Sequence, residues 1–231
     1  PPAGVSLGEV QRILEESPKP VVAAIHGTAL GGGLEVALVC HYRIAVPTAR
    51  LGLPEVNIGL LPGAGGTQRL PRIVGPEAAL EMMTSGAHVR AKDALQSGLL
   101  DELAPEDDLS GAAVALARRV VDEKRPLRKI RDQNEKVEAA RGHPEIFAKF
   151  RQANAKKFRG FEAPKKIIEC VEAAVNLPID EGLQLERKYF MELMKGDQSA
   201  AQRYYFFASR QAWNVPGLAK DAAILPVQSV G

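Results

Sequence analysis

The feature that most constrains this chain is a short apolar run followed by a triple glycine. Val21-Val22-Ala23-Ala24-Ile25 is rich in β-branched residues and bounded by Pro20 and Gly27, so it reads as a buried strand. Gly31-Gly32-Gly33 then opens an apolar helix over about Leu34 to Tyr42, and Arg43 to Val46 reads as a second short strand. Upstream, Val10, Ile13 and Leu14 recur at helical spacing between Gly8 and Glu16, and Pro18 and Pro20 end that helix. Downstream, Pro76 starts a helix at its favoured first-turn position and runs to about Ser85. Ala91 to Ser97 is a further helix, with a strand at Leu99-Leu100 and its flanks. Strands thus alternate with helices to about residue 103, the α/β pattern. From Leu109 onward the pattern is helical, with helices predicted over 109–123, 144–158, 164–176, 180–195 and 198–212 and Asp180 as an N-cap. Leu225 to Gly231 reads as the beginning of another strand.

Composition narrows the function classes. The 231 residues are 45% hydrophobic and 25% charged, values that suit a globular protein with a real core. A formal net charge of +2 is not the basic field that nucleic-acid binding needs. The two cysteines, Cys40 and Cys170, are far apart and have no partner at metal-ligand spacing, so both read as buried hydrophobes in a reducing compartment. No apolar run approaches the roughly 18 to 20 residues of a membrane span.

Charge is most informative where it is missing. Glu35 is the only formally charged residue between Lys19 and Arg43, and it sits in the apolar helix Leu34-Glu35-Val36-Ala37-Leu38-Val39-Cys40. Glu55 is the only charged residue from Leu51 to Gln68, in a loop of apolar residues, glycine and proline. A carboxylate in apolar surroundings is costly, and its pKa rises, which is the tuning that a general acid needs near neutral pH. Either glutamate alone could instead cap a backbone amide or pair with Arg43 or Arg69. Two in succession beside glycine-rich turns point to a site. Gly31-Gly32-Gly33 places backbone N–H groups at a helix N-terminus, where they favour developing negative charge. An amide donor beside a carboxylate suits chemistry on a carbonyl compound through an enolate. Without a ligand, the same glycines make only a tight strand-to-helix turn.

Two long motifs carry a resemblance. His26-Gly27-Thr28-Ala29-Leu30-Gly31-Gly32-Gly33-Leu34-Glu35 is the first, and Leu53-Pro54-Glu55-Val56-Asn57-Ile58-Gly59-Leu60-Leu61-Pro62-Gly63-Ala64-Gly65-Gly66-Thr67-Gln68-Arg69-Leu70 is the second. Together they resemble the crotonase (enoyl-CoA hydratase/isomerase) family. Phe161-Glu162-Ala163-Pro164, Leu177 to Gly182 and Gln202 to Phe207 are similar to the N-terminal half of the multifunctional β-oxidation members. The resemblance implies a crotonase-type spiral of short strands and helices over 1–140, a helical C-terminal extension over 141–226, and the start of a dehydrogenase domain of the same parent chain at 227–231. It implies that Gly32 supplies one of two oxyanion-hole amides, that Glu35 activates water, and that Glu55 donates a proton to C2 of a trans-2-enoyl-CoA thioester. Shifting a 3-enoyl double bond to the 2-position through Glu55 is implied as a second activity. The second oxyanion amide and much of the CoA surface belong to a family segment expected upstream of Pro1, so the chain alone is expected to be weak or inactive. An NAD fingerprint is expected only beyond Gly231, so no NAD binding, metal or other cofactor is expected. No nucleic-acid partner is expected either. A cytoplasmic location is expected, with a peroxisomal one as the alternative.

Two other readings compete with this one. A dinucleotide site would use Gly31-x-Gly33 with Glu55 as the ribose ligand, but Val36 stands where a small residue is needed and Glu55 follows a proline. A non-catalytic packing fragment would use the helical half and its aromatics Tyr189, Phe190, Tyr204, Tyr205, Phe206 and Phe207, which more simply read as core. His26, His41, His88 and His143 read as structural or surface residues. Lys124 to Arg131 reads as a solvated helix end, with contact to a CoA phosphate as an alternative.

Overall fold

A computed structural model describes residues 4–212, so the strand expected near Leu225–Gly231 lies outside the described residues. The first helix, α1 (Leu7–Glu15), starts on a Ser6 side chain that accepts from the Glu9 amide at 3.2 Å. Its burial inverts the simple hydrophobic reading. Gln11 and Glu15 are buried, whereas Leu7, Val10 and Ile13 are exposed. Polar partners explain this. Gln11 donates to the Glu35 and Ala64 carbonyls (3.1 and 2.8 Å), and Glu15 accepts two hydrogen bonds from Arg69 (3.2 and 3.1 Å). Buried polar groups need such partners, and here they decide which face turns inward.

The strands form two small sheets. In the first, β1 (Val22–Ile25) pairs in parallel with β3 (Tyr42–Ala45), and β3 with β6 (Glu102–Leu103). The central β3 is buried along its length, as a parallel strand covered on both faces should be. Its Arg43 is tolerated because the guanidinium donates to the Leu99 and Cys40 carbonyls (2.8 and 2.9 Å). The second sheet holds β2 (Thr28–Leu30), β4 (Arg50–Gly52) and β5 (Val89–Arg90), with β2 and β4 parallel and β5 antiparallel to β4. These three strands are too short for a sequence period to show. The strand expected around Leu99-Leu100 sits slightly later, at β6, while both leucines are buried.

The glycine-led helix α2 (Gly32–Ala37) is shorter than expected, because the chain must turn through residues 38–41 to enter β3. The remaining α/β helices are α3 (Gly66–Val74), α4 (Pro76–Ser85) and α5 (Ala91–Ser97). The helical half comprises α6 (Leu109–Asp122), α7 (Glu135–Ala140), α8 (Glu145–Asn154), α9 (Ala163–Asn176), α10 (Ile179–Lys195) and α11 (Asp197–Ala212). Asp180 lies inside the first turn of α10 instead of capping it, and pairs with Arg131 at 2.8 Å. A continuous hydrophobic core runs from Ile25 through Leu34, Leu53, Leu70 and Phe147 to Leu193, so α8, α9 and α10 share it with the α/β part.

The aromatic residues of α11 do not follow the simple core reading. Tyr204, Tyr205 and Phe207 are 78%, 74% and 61% exposed, because α11 turns Ser199 and Gln202 inward toward Gly59. The basic stretch is largely occupied by ion pairs. Arg128 pairs with Asp101 and lies over the Tyr42 ring, and Arg131 reaches both Asp180 and Glu15. Cys40 and Cys170 are free and buried. Of the histidines, His41 is buried and accepts from the Val21 amide, while the other three are exposed.

Candidate active site

The second sheet explains how two distant glutamates meet. In the parallel pairing of β2 with β4, Leu30 stands opposite Gly52, so both strands end side by side. The Gly31 amide donates to the Gly52 carbonyl at 2.9 Å and closes that end. One chain then turns into α2 through Gly31, whose φ of +55° favours glycine. The other passes Leu53-Pro54 into a 3₁₀ turn over Glu55–Ile58. Ligands in α/β folds commonly bind beyond the carboxyl ends of parallel strands, and the two turns converge there. A Cβ at Gly31 would stand 3.2 Å from Glu55 Oε1, so the carboxyl lies directly against this glycine.

Glu35 is held from the other side by the chain that leads into α3. It is 3% exposed, and its Oε1 accepts from the Ala64 and Gly66 amides at 2.7 and 2.9 Å. Both bonds fall on one oxygen and leave Oε2 untied by them. The capping alternative is therefore partly realised, through amides, while Arg43 and Arg69 pair elsewhere with Asp101 and Glu15. Burial raises the Glu35 pKa, against the two amides and the charge of Arg69, which lower it. Glu55 is partly buried, and its Oε2 has no hydrogen-bond partner among the described residues. Burial, then the neighbouring Glu35 charge, push its pKa up to about 8. The two carboxyls therefore sense each other. A neutral acid beside a second carboxyl is the arrangement in which one group can give a proton and the other take one.

Gly32 begins α2, where its amide has no acceptor within the helix. It lies one residue beyond the glycine that Glu55 touches, which brings the amide and both carboxyls to the same end of the sheet. The site also holds a third carboxyl that sequence reasoning missed. Glu186 of α10 is 2% exposed and accepts from the Gly65 amide (2.7 Å), the Thr67 amide (3.0 Å) and the Thr67 hydroxyl (2.6 Å). Burial, then the Glu35 charge, raise its pKa to about 8, with these three donors acting in the opposite sense. Its neighbours Arg187 and Lys188 make it one charge among many in the sequence. Only its helical phase with Gly182 and Phe190 would have singled it out.

The dinucleotide arrangement is not formed. Gly31–Gly33 follows β2 of the second sheet, α2 has six residues, and Glu55 lies in a 3₁₀ turn instead of at a strand end. Among the described residues, no group of three or more His, Cys, Asp or Glu side chains is placed to hold a metal ion. None of their helices is long and apolar enough to cross a membrane.

Residues 5–173 match the family model described as enoyl-CoA hydratase/isomerase. The chain is 42% identical over 232 residues to the peroxisomal bifunctional enzyme of Homo sapiens, an alignment that covers 99% of this chain and 32% of that protein. It is 45% identical over 205 residues to the peroxisomal bifunctional enzyme of Danio rerio, covering 88% of this chain and 28% of the relative. It therefore spans about a third of the length of these curated relatives. Among solved structures, an enoyl-CoA hydratase from Mycobacterium avium subsp. paratuberculosis matches with a TM-score of 0.61 at 21% identity, over 88% of this chain and 68% of that one. An enoyl-CoA hydratase/isomerase from Pseudoalteromonas atlantica matches with a TM-score of 0.58 at 21% identity, over 90% and 68%. These two likenesses bear on the fold, and they agree with the crotonase-type spiral and its helical C-terminal region. With a family match across the paired sheets, both glycine-rich turns and α9, the chain belongs to the enoyl-CoA hydratase/isomerase family.

Proposed function

We propose that this site hydrates a trans-2-enoyl-CoA thioester to the 3-hydroxyacyl-CoA, with Glu35 and Glu55 as an acid/base pair. One observation carries the reading. Two carboxyls that the sequence isolates in apolar surroundings converge at the carboxyl end of β2 and β4, near enough for the Glu35 charge to raise Glu55. The Gly32 amide donates to the thioester oxygen as negative charge develops on it. Glu35, whose Oε2 is outside the amide bonds, takes a proton from water as the C3–O bond forms. The C2=C3 electron pair moves toward C2 and the carbonyl, giving an enolate. Glu55, protonated near neutral pH, delivers its proton to C2. Water is consumed as a hydroxyl on C3 and a proton on Glu35, and return of that proton from Glu35 to Glu55 restores the pair. The redox state does not change, so the step calls for no redox cofactor. Glu55 alone would serve the shift of a 3-enoyl double bond to the 2-position, because that reaction moves a proton without adding water.

The names of the curated relatives support a place in a bifunctional enzyme and favour the peroxisomal alternative over the cytoplasm. The motifs that resemble the multifunctional β-oxidation members support a place in β-oxidation. The test follows the loss of enoyl-thioester absorbance with the full-length polypeptide. Glu35→Gln and Glu55→Gln should each slow hydration by about 10²–10⁴-fold, the usual range for general acid–base groups. Glu35→Gln should spare isomerisation, whereas Glu55→Gln should abolish it. Full hydration activity in either variant would remove that residue from its role.

A further inference from the structure

One face of α10 runs along the turn that grips Glu35. Gly182, Glu186 and Phe190 recur at four-residue spacing and share a helix face. A Cβ at Gly63 would lie 2.3 Å from the Phe190 ring, and one at Gly182 would lie 2.0 Å from Gln68 Oε1. Between these two close approaches, the Glu186 carboxyl takes the Gly65 and Thr67 amides at 2.7 and 3.0 Å. The next amides face the opposite way, as Ala64 and Gly66 donate to Glu35 at 2.7 and 2.9 Å. Four successive N–H groups are thus shared alternately between two buried carboxyls. Gly65 makes the turn with φ +94°, and a Cβ there would stand 1.9 Å from Arg69 Nη1. The turn therefore has little freedom to adopt another orientation while both carboxyls are satisfied.

We infer that Glu186 is a positioning residue for Glu35: by taking the Gly65 and Thr67 amides, it aims the Ala64 and Gly66 amides at the Glu35 carboxyl. This rests on the role given to Glu35 above. Glu186 acts through the backbone and touches no reacting atom. Without its acceptor oxygens, two buried amides lose their partners, and buried donors do not stay unpaired when the chain can rotate to find others. Rotation would take the Ala64 and Gly66 amides away from Glu35 and release its carboxyl.

Two variants of the full-length polypeptide test this. Glu186→Gln keeps the side-chain size but turns an NH₂ group toward the Thr67 donors. Thr67→Val removes only the hydroxyl that donates to Glu186 at 2.6 Å. Glu186→Gln should lower the hydration kcat by about 10- to 100-fold, the scale of a small misplacement of a reacting group, with KM changed by less than about twofold. Amide hydrogen exchange at Ala64 and Gly66 should quicken in the same variant, and Thr67→Val should shift kcat and exchange less in the same directions. Unchanged kcat with unchanged exchange in the folded variants would overturn the inference. So would losses of kcat and KM that simply follow a fall in melting temperature. If the wild-type polypeptide does not hydrate enoyl-CoA, the Glu35–Glu55 reading fails, and exchange at Ala64 and Gly66 alone then decides the role of Glu186. If Glu186→Gln does not fold, the Thr67→Val kcat and exchange shifts decide instead.

Discussion

Glu35 and Glu55 are alike in sequence and different in place. Glu35 is tied by two amides on one oxygen, whereas Glu55 sets Oε1 against Gly31 and keeps a buried Oε2 without a hydrogen-bond partner among the described residues. That difference supports the division of labour, with the held carboxyl orienting water and the raised one supplying a proton. It also predicts a pH effect. Glu55 must be protonated to act as the acid, so kcat/KM for hydration should fall as pH rises through about 8. The Glu35 charge is one cause of that elevation, so the residual activity of Glu35→Gln should show the alkaline limb moved to lower pH. Profiles measured from about pH 6 to 10 check both points, and an unmoved limb would show that the two carboxyls do not interact. The pair was legible in the sequence because each is a lone charge in an apolar stretch. Glu186 was not, because a buried carboxyl on an amphipathic helix with charged neighbours looks like any solvated one. His41, read as structural or surface, is structural: it follows the apolar run of α2, is buried, and accepts from the Val21 amide.

At the scale of elements, the site depends on pieces with little sequence signal. The strands β2 and β4 have three residues each, too few for an alternating pattern, yet their register is what sets Glu55 against Gly31. The helix α1 misleads in the other direction. Its apolar positions have helical spacing, but the buried face belongs to Gln11 and Glu15, whose partners are far along the chain and so invisible locally. The glycine-rich segment 63–66 was legible as a turn, and the structure gives its glycines a steric reason. A Cβ at Gly66 would stand 2.9 Å from Glu35 Oε1, 2.7 Å from Pro62 Cβ and 3.0 Å from Leu53 Cδ1. Gly66→Ala should therefore destabilise the fold by about 1–3 kcal/mol, as overpacked sites do, and lower the hydration kcat by displacing Glu35. Urea unfolding and steady-state kinetics on the same preparation measure both. A stable variant with undiminished kcat would mean that the turn gives way without disturbing the carboxyl.

At the scale of the whole molecule, the helical half is part of the frame of the site. Phe147, Ile167, Val171 and Leu193 belong to the same core as Leu34 and Leu53, and α10 sends Glu186 into the turn beside Glu35. The division into an α/β part and a helical part was legible from the change in hydrophobic period near residue 103. Which helix faces dock on the α/β part was not, because that depends on close approaches at Gly63, Gly65 and Gly182 that only the folded chain displays. The exposed aromatics of α11 show the same gap, since hydrophobicity alone assigned them to a core that they do not enter. What the fold achieves is the convergence of two carboxyls from separate turns, the pair that we propose acts as acid and base. The most direct test is the hydration rate of the Glu35→Gln/Glu55→Gln double variant beside the two single variants. Groups that act as a unit give non-additive losses. The double variant should therefore be about as slow as the slower single variant, and rate losses that multiply independently, or a single variant at wild-type rate, would contradict the pairing.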